Sequence, residues 1–344
     1  MEIREILSKL CRADGVSGAE EAACAEAVAL LREFDPSASA DPFGCVHAFI
    51  GEKGNGKKTL LLEAHIDEIG FIVTYIEEGG FLRVANVGGT DRRLYAAQTV
   101  TIHSDPPLKG VIATLPPHVD PDGKKTMKTE AIAIDTGFSK EETEKRVKLG
   151  DRVTIDGGFA ELGESRVTAK ALDDRAGAAA ILYALSLLKG KKLAYNLSIL
   201  FASEEEVGSR GAKIGAYTAE ADLAVATDVS FGLTPDAKRE KCGELGKGAM
   251  LGIAPSLSKS LTEHLRALAE EEDIPLQLEI MGGETGTDAD EIATARGGVK
   301  TALLSIPLRY MHTPVETVDP KDVEAVGRLM AALALKGEGG EDNA

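Results

Sequence analysis

Apolar positions recur along the chain with two different periods. Near the N-terminus Ile3, Ile6, Leu7 and Leu10 fall on one face at helical spacing, and residues 20–34 continue as a second helix. TLLLEA (59–64) predicts a buried strand ending at His65. From Gly70 to about Gly158 helical spacing gives way to short β-type runs, FIVTYI, FLRVANV, QTVTIHS and KGVIATL. Gly-Gly and Pro-Pro pairs punctuate them, and little helical periodicity appears before the acidic stretch SKEETEKRVK. After Arg166 helix and strand alternate: DDRAGAAAILYALSLL as helix, NLSILFA as strand, a further helix, then DLAVATD as strand. SLTEHLRALAEEE follows as helix, LQLEI and KTALLSI as strands, and KDVEAVGRLMAALAL as a closing helix.

That change of pattern predicts an α/β domain, residues 1–68 and 160–344, interrupted by a β-rich domain at 69–159. DPDGKKTMKTE (120–130) reads as a mobile polar loop and GEGGEDNA as a frayed tail. The 344 residues are 43% hydrophobic, enough for one large core or two smaller ones. Basic residues number 39 against 56 acidic, a net charge of −17, and no run of Lys and Arg forms a phosphate-binding stripe. Nucleic acid is therefore not an expected partner. Cys11, Cys24, Cys45 and Cys242 are scattered without a CxxC pair, which argues against a zinc finger or disulfide framework and for a reducing compartment. The first residues carry mixed charge, and no stretch approaches the ~18 apolar residues of a membrane span. A cytoplasmic protein without membrane contact is expected, with the Ile3–Leu10 face turned to the core.

Several acidic and histidine positions sit where a predicted strand stops or a helix starts: His65 with Asp67, Asp173 with Asp174, Glu204 to Glu206, Asp228 and His312. The carboxyl ends of strands in an open α/β sheet converge on one crevice, so residues distant in sequence can meet there. In extended chain His65 and Asp67 lie on the same side, which lets Asp67 hold the imidazole as a metal-bound histidine requires. Each cluster also has an ordinary reading. HxD can be a strand-end hydrogen bond, the two aspartates a helix cap, the three glutamates a solvated face, Asp228 a turn residue and His312 a loop imidazole. Two adjacent aspartates nevertheless exceed what a cap needs, and the glutamates abut a buried strand. Together the set offers two histidines and surplus carboxylates without cysteine, a mixed N/O donor set suited to zinc, cobalt or manganese in open catalytic coordination.

With AHIDEIGFIV (64–73), ALDDRAG (171–177), EEVGSRGA (205–212), ATDVS (226–230) and IPLRYMHTPVE (306–316) in this order, the chain resembles the glutamyl aminopeptidase and tetrahedral (TET) aminopeptidase family of dinuclear metallopeptidases. The resemblance implies a zinc-exopeptidase-like three-layer α/β/α catalytic domain with an inserted β-rich dimerisation domain. It implies that His65, Asp173 and Asp228 hold one divalent ion and Asp173, Glu206 and His312 a second, zinc or cobalt foremost and manganese after them. Glu205 is implied as general base and Asp67 as the partner of His65, for hydrolysis of the N-terminal bond of short peptides. A cis peptide at Asp173–Asp174, and dimers that build a twelve-subunit tetrahedron, are also implied. Glu204 stands where relatives tend to carry Gln, so the register through the acidic run is taken from Val207-Gly208. GGETGTDADEI (282–292) resembles the family's glycine-rich segment near the substrate pocket, although Thr287 or Asp288 there could simply cap a helix. The alternatives are an amidase or deacylase, or a glycoside hydrolase, on the same scaffold, and outside enzymes a catalytically silent shell subunit.

Overall fold

A computed structural model describes residues 2–114, 118 and 128–338 of the chain. Most of the predicted polar loop, residues 120–127, and the tail beyond Glu338 lie outside the described residues. The largest sheet has eight strands, ordered Ser39–Ala40, Val46–Ile50, Asn196–Ala202, Thr59–His65, Leu223–Phe231, Lys300–Leu308, Ala249–Ile253 and Leu276–Ile280. Its four central strands are mutually parallel, with Ala202 opposite His65 and Asp228 opposite Ser305. Their carboxyl ends therefore open on the same side, where the predicted site residues lie.

Side-chain alternation explains why helices cover both faces. On Thr59–His65, Leu60 and Leu62 point into one apolar cluster and Leu61 into another, and Leu303 and Leu304 divide in the same way. The first cluster includes the long helices Leu172–Leu188 and Pro320–Lys336, and the second includes the shorter Arg210–Ala219 and Asp288–Thr294. The result is three layers, α/β/α. The two long helices cross closely at Gly327, where an added Cβ would lie 2.6 Å from the carbonyl oxygen of Ala180.

Between the first and second halves of this sheet the chain forms a closed barrel. Its six strands run in the order Gly70–Ile76, Leu82–Val87, Ile134–Asp135, Leu108–Ile112, Thr99–Ile102 and Arg152–Ile155. Phe71, Tyr95, Val100, Ile102, Ile134 and Val153 fill its interior as an apolar cluster separate from the other two. SKEETEKRVK contributes only the short helix Lys140–Glu144, begun by the Ser139 hydroxyl, which accepts from the Glu142 N–H. Ala160–Leu162, Arg166–Ala169 and Glu316–Val318 make a small third sheet at the return to the α/β layers.

Besides several strands of two to four residues, two five-residue strands of the main sheet fall outside the sequence reading. Val46–Ile50 carries a histidine in mid-strand, and Ala249–Ile253 is a five-residue run with an internal glycine, too short to declare a period. Both pair antiparallel with the parallel core, one on each side. Leu62, fully buried in the central sheet, tests the packing. Leu62→Ala is expected to lower the unfolding free energy by roughly 2–5 kcal/mol, measured by urea denaturation. A loss under about 0.5 kcal/mol would contradict this packing.

Candidate metal centre

Each predicted ligand is delivered by the end of a regular element. His65 closes the strand Thr59–His65, Asp228 lies near the end of Leu223–Phe231, and Glu205 and Glu206 follow Asn196–Ala202. Asp173 stands at the entrance of the helix Leu172–Leu188 with non-helical backbone, and the Asp173–Asp174 peptide bond is cis. His312 sits in the loop after Lys300–Leu308. Donor atoms of His65, Asp173 and Asp228 lie within 4.8 Å of one another, as do those of Asp173, Glu206 and His312. Asp173 is common to both groups and turns one oxygen to each. Its Oδ1 is 3.0 Å from His65 Nε2, and its Oδ2 is 3.4 Å from His312 Nε2. Glu206 Oε2 stands 3.4 Å from the same His312 nitrogen.

A second rank of carboxylates holds these groups by their backbones. Asp67 accepts the Ser17 hydroxyl at 2.6 Å and the N–H groups of Glu205 and Glu206 at 3.0 and 3.2 Å. Its Oδ1 also lies 3.4 Å from His65 Nδ1, so one buried side chain positions residues from two strands. Glu316, which the sequence reading does not single out, does the same on the opposite side. It accepts the N–H of Asp173 at 3.1 Å and that of His312 at 2.8 Å. Its sequence signal was only an acid four residues beyond a histidine. Asp174 is the helix cap, its Oδ1 accepting the Gly177 N–H at 2.9 Å. The adjacent aspartates thus divide capping from clustering. Glu204 has left-handed backbone and turns to Arg210, 3.4 Å away, outside both donor groups. Thr287 caps the helix Asp288–Thr294 through the Ala289 N–H, while Thr285, Gly286 and Thr287 also border the cavity described below.

The electrostatics expose what this cluster lacks. Burial would pull the His65 imidazole down, but the carboxylates of Asp173, which accepts from the ring, and of Asp67 outweigh it and raise its pKa well above the ordinary range. Asp173 is opposed by burial, yet His312 and His65 hold its carboxyl below the usual carboxylate range. Burial, then repulsion from Asp173, pushes Asp228 and Glu206 well above that range. Burial likewise lifts Glu205 to about 7. Among the described residues neither lysine nor arginine pairs with Asp173, Glu206 or Asp228. Three buried carboxylates without a basic partner, facing two imidazoles, fit a pair of divalent cations by donor type and by charge.

A cavity of about 370 Å³ opens onto the cluster, bordered by Asp173, Glu205, Glu206, Asp228 and His312. Part of the surrounding wall comes from the barrel, whose strand Leu82–Val87 runs into Gly88 and Gly89. Gly88 has φ +71°, and an added Cβ there would lie 2.8 Å from Ile69 Cγ2 and 3.3 Å from Glu206 Cβ. A Cβ on Gly89 would meet His312 Nδ1 at 3.2 Å. The backbone therefore passes so close to Glu206 and His312 that an added Cβ would crowd both.

The chain as a whole is similar to known aminopeptidases. Residues 44–329 match the family described as M42 glutamyl aminopeptidase. A lysyl aminopeptidase of Pyrococcus furiosus is 34% identical over 96% of each chain. An aminopeptidase of the archaeon Desulfurococcus kamchatkensis superposes with a TM-score of 0.91 at 33% identity, covering 97% of this chain and 95% of that one. The TET1 peptidase of Pyrococcus horikoshii, which can assemble into a tetrahedron or a large octahedral shell, superposes with a TM-score of 0.85 at 32% identity, over 97% and 99% of the two chains.

Because His65, Glu206 and Asp228 hold protons to higher pH than usual, cation binding must expel them. Zinc or manganese binding is expected to release protons at pH 7, and affinity to rise as pH increases past the ordinary histidine value near ~6.5. Calorimetry in buffers of different ionisation enthalpy measures this directly. Binding with no proton release would contradict it.

Proposed function

The chain belongs to the M42 glutamyl aminopeptidase family, and from that premise we propose that it is a two-metal aminopeptidase removing N-terminal residues from short peptides. The observation that carries the reading is Asp173, whose two oxygens face two different histidines. We assign His65, Asp173 and Asp228 to one divalent ion and Asp173, Glu206 and His312 to the other, with Asp173 bridging. Zinc or cobalt suits these donors best, with manganese next. The ions would make a bound water acidic near neutrality, polarise the scissile carbonyl and seat the free α-amino group that restricts attack to the chain end.

Glu205 is assigned as general base. It borders the same cavity as both donor groups, and Asp67 holds its backbone N–H at 3.0 Å. Burial places its pKa at about 7, where a carboxylate can take a proton from water and return it to the leaving amine. Cations beside it would offset its carboxylate neighbours but not its burial. Asp67 acts as a positioning residue, fixing His65 and the Glu205–Glu206 turn together. An amidase or deacylase could use the same centre, but the aminopeptidase relatives argue for peptides. A glycoside hydrolase needs two carboxylates flanking a sugar bond and would leave His65 and His312 without a task.

We assign residues 1–68 and 160–344 to the catalytic unit and 69–159 to self-association. The barrel's separate apolar core and the shell-forming TET1 relative support that division. We assign the chain to the cytoplasm, a reading its four unpaired cysteines support. Among the described residues no helix is long and apolar enough to cross a membrane. Light scattering at micromolar concentration is expected to give dimers or a twelve-subunit assembly. A mass of one chain would overturn the self-association assignment.

The adjacent glutamates provide the test of mechanism. Glu205→Gln removes a proton acceptor and keeps the metals, so turnover is expected to fall by on the order of 10²–10⁴ with metal content intact. Glu206→Gln is expected instead to lower metal content, with activity partly restored by excess metal. A reversed pattern in metal analysis and turnover would move the general base one position along the chain.

A further inference from the structure

The cavity beside the metal centre extends away from it to Glu279, on the edge strand Leu276–Ile280. Two buried hydroxyls serve that carboxylate. Ser230 donates to Glu279 Oε1, and Ser305 donates to Oε2 at 2.8 Å. Each hydroxyl spends its one proton on a different oxygen of the carboxylate, which fixes the side chain facing the cavity. Leu303, Met281 and Met311 supply apolar wall, and among the described residues no lysine or arginine lines the cavity. Among the described residues no basic side chain pairs with Glu279, so its charge is left for something that enters.

The spacing also suits an entering side chain. Ser230 lies two residues beyond Asp228 on the same side of its strand, and Ser305 stands opposite Asp228 in register. Same-side residues on a strand are about 6.6 Å apart, a separation comparable with the reach of a four-carbon stem ending in an ammonium. We infer that this cavity receives the side chain of the substrate's N-terminal residue and that Glu279 selects lysine or arginine by pairing with its cation. This rests on the aminopeptidase reading of the metal centre. A cationic chain lays its stem along Leu303, Met281 and Met311 and neutralises Glu279. An apolar residue leaves that carboxylate dehydrated and unpaired, and an acidic residue brings two like charges together.

The experiment uses metal-loaded enzyme with lysyl, arginyl, leucyl and glutamyl p-nitroanilides, together with calorimetric binding of L-lysine and of its uncharged isostere L-norleucine. Wild type is expected to favour the lysyl and arginyl substrates in kcat/KM and to bind lysine at least tenfold more tightly than norleucine. Glu279→Gln is expected to lower the lysyl-to-leucyl ratio by on the order of 10²-fold, while Glu279→Asp retains the preference in reduced form. The wild-type comparison of lysine with norleucine stands even if a variant fails to fold. Equal binding of the two amino acids, or cleavage of leucyl or glutamyl substrates ahead of lysyl, overturns the role of Glu279 and leaves the aminopeptidase intact. No cleavage of any aminoacyl substrate by enzyme with both metals loaded overturns the aminopeptidase reading and this inference with it.

Discussion

Mutual repulsion among buried carboxylates is the constraint that the rest of this molecule serves. Asp173, Glu206 and Asp228 are crowded at the carboxyl ends of parallel strands without a basic partner among the described residues. Such an arrangement is unfavourable in a bare protein, because each charge has lost water and gained a like-charged neighbour. It persists because the surrounding sheet and helices are built from fully buried aliphatic side chains such as Leu60, Leu62, Ile199 and Leu304. Folding free energy from an apolar core thus holds together an electrostatically strained site, whose strain bound cations would relieve.

Backbone amides make that crowding precise. Asp67 and Glu316 each accept two N–H groups from residues of the cluster, tying three segments of chain to two buried acids. Beneath them Glu68 binds Lys170 at 2.7 Å and Arg175 at 3.3 Å, with Lys170 also 3.2 Å from Asp14. Here the carboxylate does have cationic partners. The contrast separates Glu68, a charge that supports structure, from Asp228, which no basic side chain among the described residues meets.

Much of this was legible in the sequence because it depends on local pattern. TLLLEAH, NLSILFA and DLAVATD declare strands by apolar runs, and the acids and histidine that interrupt or follow them mark where the sheet opens. The flanking strands Val46–Ile50 and Ala249–Ile253 were not legible, since their pairing is set by the neighbouring core and not by their own composition. Nor were Glu316 and Glu279, single acids whose meaning comes only from the backbone amides and hydroxyls they face. Within the acidic run, Val207-Gly208 suggested a register. In the fold the left-handed backbone at Glu204 turns that side chain to Arg210, while the next two glutamates turn inward.

The close approach of Gly88 and Gly89 to Glu206 and His312 bears on how far the chain can be simplified. An insertion with its own core looks like a detachable module that could be exchanged or deleted while the sheet stays intact. Here the insertion supplies part of the wall around the ligands, so a chain shortened by residues 70–155 would keep its sheet and lose that wall. Recombination, natural or engineered, that exchanges the barrel therefore has to reproduce the path of this one loop past Glu206 and His312.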